Sequence, residues 1–402
     1  MKTIPLTGIL LALMAGLFAS AAGAEDFAVP NQGSPYKNLG ELKEGEILHL
    51  PTGLTVSVEQ MINTVSGSRV IYIGETHDNL EAHRVQLEII RRLQEQSPGQ
   101  ISVGMEMFRR SAQDDLDRWQ KGNLTDKQFR KLFRKNWGHG YGLYQPIFEY
   151  VKENSIPLIG LKSSRALEQK FRDGGPDQDG LPEIDSSDAY HRAYSMSLFG
   201  GNDTHTGAVS KPYQMLLLWE ESMAETVANF LKDEANKNRK LLVLAGGFHV
   251  QYGYGIPKRA FRRVPHAYSI ILPTVTEIPK ELKNREMKMK TSVSIPLLAS
   301  DFSWKVSYIV PPANRIRLGV FLKEMENGLK VLEVEKGSNA ERMNLQKDDV
   351  LLGLDGNELS DVEGLAAQLQ KHNFGDTVHL KIERGGNEQH VSGVLQEASK
   401  AE

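Results

Sequence analysis

Four short apolar runs recur along the first two thirds of the chain, at 70–73, 103–108, 156–161 and 241–245, and each gives way to something polar. They lack the alternation of a half-exposed strand and read as strands buried on both faces of a parallel sheet. Between the first two, Val85, Ile89, Ile90 and Leu93 stand at helical spacing among charges, the pattern of a crossover helix covering that sheet. Strand, helix, strand in this order predicts an α/β fold, a mostly parallel sheet flanked by helices. A hairpin is expected at 47–58, a helical, aromatic-rich insertion at 111–150, a loop at 173–188, a helix at 213–232 and a further strand at 268–272. Gly138, Gly140 and Pro146 should break the insertion, and 277–290 reads as helix or connector. After Pro311-Pro312-Ala-Asn314 the runs shorten: strands at 330–335, 349–354 and 377–383, a helix at 362–370 and a hairpin turn at Gly385-Gly386. The expected division is a first domain at 25–311, a linker at 312–315 and a small β-rich domain at 316–396.

Residues 1–24 change the picture at the start. Lys2, an apolar stretch at 9–18 and Ala22-Gly-Ala24 before Glu25 read as a cleaved secretory signal peptide, too short in its apolar part for a membrane span. The 402 residues contain no cysteine, which excludes disulfides, thiolate metal ligands and a lipidated amino-terminal cysteine. A periplasmic protein that is not a lipoprotein is the expectation. A formal net charge of −3 with interspersed signs gives no footprint for nucleic acid.

In open α/β sheets ligands sit beyond the carboxyl ends of the strands, so Glu75, His77, Glu106, Lys162 and His249 should converge on one crevice. Glu75 and His77 are two residues apart and would leave an extended strand on one side. Imidazole and carboxylate together suit a divalent metal ion, with Glu75, His77, Glu106 and His249 as candidate ligands. A histidine after a strand is also commonly just hydrogen-bonded or solvated. Glu106, inside an apolar run, needs a partner to be buried, and Arg109 or Arg110 would serve.

The ordered series IGETHDN with AHRVQ, GMEMF with SAQDDLDRW, NWGHGYGLYQPIFEY, LWEESMAE and AGGFHVQYGYGIPKR resembles the ChaN family of haem-binding uptake proteins, within the Tiki-like superfamily. The resemblance runs over about 69–263, and Asp301-Phe-Ser-Trp304 resembles the family's closing strand. It implies a haem pocket used in iron acquisition, with tyrosine as one type of axial ligand. The candidate tyrosines are Tyr141, Tyr144, Tyr252 and Tyr254, phenolate being a hard donor suited to ferric iron. Arg165 and Arg259 are candidates for the propionates, or else surface ion pairs. The resemblance equally implies an alternative, since Tiki-like relatives use Gly-Glu-x-His and Gly-x-x-His-type motifs for metal-dependent hydrolysis, which leaves open whether the chain is an enzyme. His139 departs from the family's usual Tyr-Asp after Trp-Gly.

Leu318-Gly319-Val320-Phe321, the turn Gly337-Ser-Asn-Ala340 and Asp349-Val-Leu-Leu-Gly-Leu-Asp-Gly356 resemble a bacterial PDZ domain. That implies a loop at Leu318, Gly319, Val320 and Phe321 that receives the carboxyl terminus of a partner protein or peptide by β-augmentation. The alternative is a PDZ that only packs on its neighbour or pairs two copies as a homodimer. The sequence therefore leaves three readings: a periplasmic haem-binding protein whose PDZ recruits a partner, a metal-dependent hydrolase or peptidase, and an adaptor with a vestigial crevice.

Overall fold

The computed structural model describes residues 38–175, 179–199, 211–285, 293, 295, 297–310 and 316–397. The expected leader and linker lie outside the described residues.

The first domain runs β1 (Ile47–His49), β2 (Leu54–Val56), α1 (Val58–Val65), β3 (Val70–Glu75), α2 (Leu80–Gln96), β4 (Ile101–Arg109), α3 (Gln113–Gln120), α4 (Asp126–Asn136), α5 (Tyr141–Glu153), β5 (Leu158–Lys162), α6 (Arg165–Gly174), α7 (Ala189–Phe199), α8 (Lys211–Lys232), β6 (Lys240–Gly246), α9 (Ile256–Arg263), β7 (Tyr268–Thr274) and β8 (Phe302–Lys305). Its eight strands lie in the order β2-β1-β8-β7-β3-β6-β4-β5. Six are parallel neighbours, and the hairpin of β1 and β2 joins antiparallel beside β8. Three of the four apolar runs are the central strands β3, β6 and β4, buried on both faces as their composition requires, whereas the fourth supplies β5, the edge of the sheet, where Ile159 is only partly buried.

Val85, Ile89, Ile90 and Leu93 are the buried stripe of α2, each such side chain contributing about 1.5–3 kcal/mol when removed from water. Most of the aromatic insertion α3–α5 is core, with Trp137 at the end of α4 only partly buried. Trp119 stacks on Phe129 at 3.8 Å, Phe148 meets both edge to face, and Phe133 packs edge to face on Phe108 and Phe148. Gly138 and Gly140 do break the chain, at φ of 114° and 96°. Pro146 does not: it sits inside α5, where its ring removes one hydrogen bond and the packed aromatic face holds the helix.

The second domain is β9 (Val320–Met325), β10 (Gly328–Val334), α10 (Asn339–Arg342), β11 (Val350–Leu354), β12 (Asn357–Glu358), α11 (Val362–Leu369), β13 (Thr377–Arg384) and β14 (Asn387–Val394). The sheet is antiparallel in the order β14-β13-β11-β10-β9, with β12 on β11, so β9 is an edge. Val320, Leu322 and Glu324 turn one face of β9 inward, and Phe321, Lys323 and Met325 are exposed on the other. α4 meets this domain through Arg130, Lys131 and Arg134. No helix among the described residues is long and apolar enough to cross a membrane.

Candidate functional site

The strand order β3-β6-β4-β5 brings four carboxyl ends side by side, and the five expected residues meet there. Glu75 is the last residue of β3, Glu106 lies near the end of β4, Lys162 ends β5, and His249 closes the single turn after β6.

Glu75 is fully tied. Oε1 accepts from the Tyr144 hydroxyl at 2.6 Å and from His77 Nδ1 at 2.8 Å, and Oε2 accepts from Gln86 Nε2 at 2.8 Å. His83 Nδ1 stands 3.6 Å away. Burial pushes the Glu75 pKa up, but the charge of His83 and the hydrogen bonds from His77 and Tyr144 outweigh it, and the carboxyl ends below its ordinary value. His83 and Gln86 reach this point because they are three apart on α2, one face of one turn.

His77 is the opposite case. Its side chain is 44% exposed, with the ring edge-on to Trp137 at 4.9 Å. Partial burial works against the imidazolium, and Glu75 and Glu106 more than compensate, so its pKa is raised. Nδ1 is fixed by Glu75, and Nε2 lies on the β6 side of the ring. A Cβ at Gly246 would lie 3.0 Å from that nitrogen, so only glycine lets the ring sit against β6. Lys162 Nζ lies 5.0 Å from the Trp137 ring and 4.8 Å from the Trp219 ring, and 3.8 Å from Glu106 Oε1.

Behind this rim is a buried chain of charge. Glu106 accepts from Gly246 N–H at 2.8 Å and faces His249 Nε2 at 3.5 Å. His249 Nδ1 faces Glu220 Oε1 at 3.2 Å; Glu220 Oε2 is 3.1 Å from His191 and 3.3 Å from Arg259 Nε. Arg259 continues to Glu221 at 2.6 Å, which also holds Arg262 and Arg263. Burial disfavours the charges of Glu106, Glu220 and His249, yet the pairing wins: Glu106 and Glu220 stay far below the carboxylate range, and His249, between two carboxylates, is pushed up to about 10. The partners expected for Glu106 are elsewhere, Arg109 on Glu168 and Arg110 on Glu225.

The four candidate metal ligands thus converge without forming a coordination shell. Glu75 and Glu106 spend their oxygens on neighbours, and among the described residues no three His, Asp or Glu side chains are placed to hold a metal ion. The candidate tyrosines scatter. Tyr144 is buried beneath Glu75, and Tyr141 is partly buried in the aromatic insertion. Tyr254 is buried away from the rim, and Tyr252 packs on Tyr194 beside Leu297 and Leu298. Burial raises the pKa of all four and opposes the phenolate. Arg259 is no surface ion pair: it is 3% exposed and consumed by Glu220 and Glu221. Arg165 is exposed and donates to the Lys135 carbonyl. Sequence reasoning missed Gln86, His83, Trp137 and Glu220 as site residues. The signal for Glu220 and Glu221 was present, two carboxylates inside the apolar run LLLWEESMA.

Residues 61–260 match the family model described as "Haem-binding uptake, Tiki superfamily, ChaN". This unit is a ChaN-family domain. Residues 317–393 match the PDZ domain model. Among solved structures the chain resembles ChaN of Campylobacter jejuni, described with cofacial haem binding, at 18% identity and a TM-score of 0.49 over 65% of this chain and 96% of that one. It also resembles the serine protease Do-like HtrA of Bacillus subtilis, 39% identical over 72 residues, and that of Lactobacillus helveticus, 29% identical over 79. These matches take in 18% and 20% of this chain and only 16% and 19% of the curated relatives. In the PDZ domain, Leu318 is buried and Gly319 has a φ of 77°, where a Cβ would strike Ser338 at 2.3 Å. The loop that begins the β9 edge therefore requires glycine. Phe321 is 53% exposed, on the face of β9 opposite Val320 and Leu322, which pack on the domain's own core, so only its backbone belongs to the loop.

Proposed function

We propose that the ChaN-family domain binds haem at the rim of the crevice, where His77, in place of the tyrosines, would hold the iron, and that the protein serves haem or iron acquisition outside the cytoplasm. The observation that carries this is His77 itself: a half-exposed imidazole whose Nδ1 is fixed by a buried carboxylate. Such a carboxylate orients a ligating histidine and raises its basicity. The donor set fits the group. Two indole rings, Trp137 and Trp219, supply flat apolar surface, and Lys162 between them supplies a cation for a propionate. Bound haem would bring iron chemistry and a strong chromophore; this chain's residues bind and orient it. The export expectation rests on the signal-peptide pattern of residues 1–24.

The PDZ domain, on the same proposal, takes the free carboxyl terminus of a partner at Leu318–Phe321 and pairs it with β9. Haemin titration of the chain lacking residues 1–24 tests the first part. A saturable Soret change that His77→Ala abolishes and Tyr141→Phe leaves intact is the expected result. Saturable binding indifferent to His77 overturns the ligand assignment, and no saturable change overturns haem binding.

A further inference from the structure

The two domains meet at the PDZ edge strand. Glu324 is the third inward-facing residue of β9, and its carboxylate accepts from Val362 N–H at 3.4 Å, where α11 begins. Arg134 of α4 donates to Glu324 at 3.2 Å and to Glu363 of α11 at 2.8 Å, and Lys131 stands 3.7 Å from Glu324. One arginine of the ChaN-family domain therefore ties β9 to α11, the two walls between which an added strand enters. Arg130 grips Asp361, the cap of α11, at 2.8 Å.

We propose that the ChaN-family domain forms the upstream end of the peptide site, so that the groove admits a carboxyl-terminal tail of about four residues and excludes longer extended pairing. The length follows from the strand. A tail with its carboxylate at Gly319 runs antiparallel to β9 at about 3.3 Å per residue, and its fourth residue back reaches Glu324. There the Arg134 bridge stands across the path, and chain further upstream leaves the groove. Arg134 thus sets which tails gain affinity from length.

This inference rests on the peptide reading of the PDZ, and the test separates the two. Free-carboxylate tetrapeptides randomised at all four positions are selected on the full chain. The best tetrapeptide and the same sequence extended to ten residues with alternating Thr and Val are then measured by fluorescence anisotropy against the wild-type chain, Arg134→Ala and Glu363→Gln. The expected result is less than a twofold gain from extension in the wild type, about a tenfold gain in Arg134→Ala and a smaller one in Glu363→Gln. A tenfold gain already present in the wild type, or none in Arg134→Ala, overturns the length limit and leaves the peptide site standing. Retention of no tetrapeptide or decapeptide by any of the three chains overturns both.

Discussion

Asp361 joins three roles in one side chain, and substitution can separate them. Its carboxylate accepts from Arg130 Nη2 at 2.8 Å and Nε at 3.2 Å, caps α11 through Gly364 N–H at 2.7 Å, and meets Ser360 Oγ at 3.1 Å. The Asp361 side chain is 2% exposed and that of Arg130 20%. Removing one partner of a fully buried pair costs about 3–5 kcal/mol, and the partial hydration left to Arg130 reduces this to about 2 kcal/mol for Asp361→Asn. Asparagine keeps the cap, so Asp361→Ala should cost about 1 kcal/mol more. For a domain of this size about 2 kcal/mol lowers the midpoint by about 10 °C, read by calorimetry as the PDZ transition.

The same residue gives a pH signature. Burial raises the Asp361 pKa, but Arg130 and the Gly364 N–H overcome it, so the folded value is lowered. A lowered carboxyl stabilises above its unfolded pKa of about 3.9 and loses that contribution as pH falls through the folded value. The gap between wild type and Asp361→Asn should therefore be full at neutral pH and close in acid. A midpoint unchanged in Asp361→Asn at pH 7, or a gap that persists below both pKa values, refutes the reasoning.

Tyr144→Phe removes a hydrogen bond to a buried carboxylate and should cost about 1.5–3 kcal/mol by denaturant unfolding, while raising the Glu75 pKa. His249, facing Glu106 and Glu220, has its pKa pushed up to about 10 by those two carboxylates. Its pairing should stabilise fully below the unfolded value of about 6.5 and fade as pH rises toward 10; melting curves of wild type and His249→Gln should therefore converge in alkali. Gly255→Ala would put a Cβ 2.2 Å from the His249 carbonyl oxygen and 2.8 Å from Glu220, and should cost about 3 kcal/mol and disturb the haemin spectrum.

The strands and their ends were legible because burial on both faces leaves a plain mark, an apolar run that stops at a polar residue. Glu75, His77, Glu106, Lys162 and His249 could be placed together by that rule alone. The helical contributors could not. Whether His83 and Gln86 look inward depends on how α2 rolls on the sheet, and Tyr144 lies under Glu75 only because Phe133 and Phe148 seat α5 there. Tyr144 and Arg259 were attractive as ligands for their chemistry; their burial, set by packing, directs that chemistry inward. The Arg134 bridge was invisible for a further reason. Its partners lie 190 and 229 residues away and belong to another domain.

The buried chain from Glu106 to Glu221 is an expensive way to fill a core. Well-packed apolar side chains of the same volume are commonly as stable as buried ion pairs, or more so. Three carboxylates, Glu106, Glu220 and Glu221, answered by His249, Arg259 and Lys162, therefore call for a reason beyond stability. Their layout supplies one. Each charge is held by groups from a different element, so Glu106 and Lys162 at the crevice cannot shift without disturbing α8 and α9. His77, the one half-exposed member, stands against that fixed field with its Nδ1 held by Glu75. Local rules are broken most often where a site must be rigid, and here they are broken on the crevice side of the sheet, around the residue to which we assign the ligand.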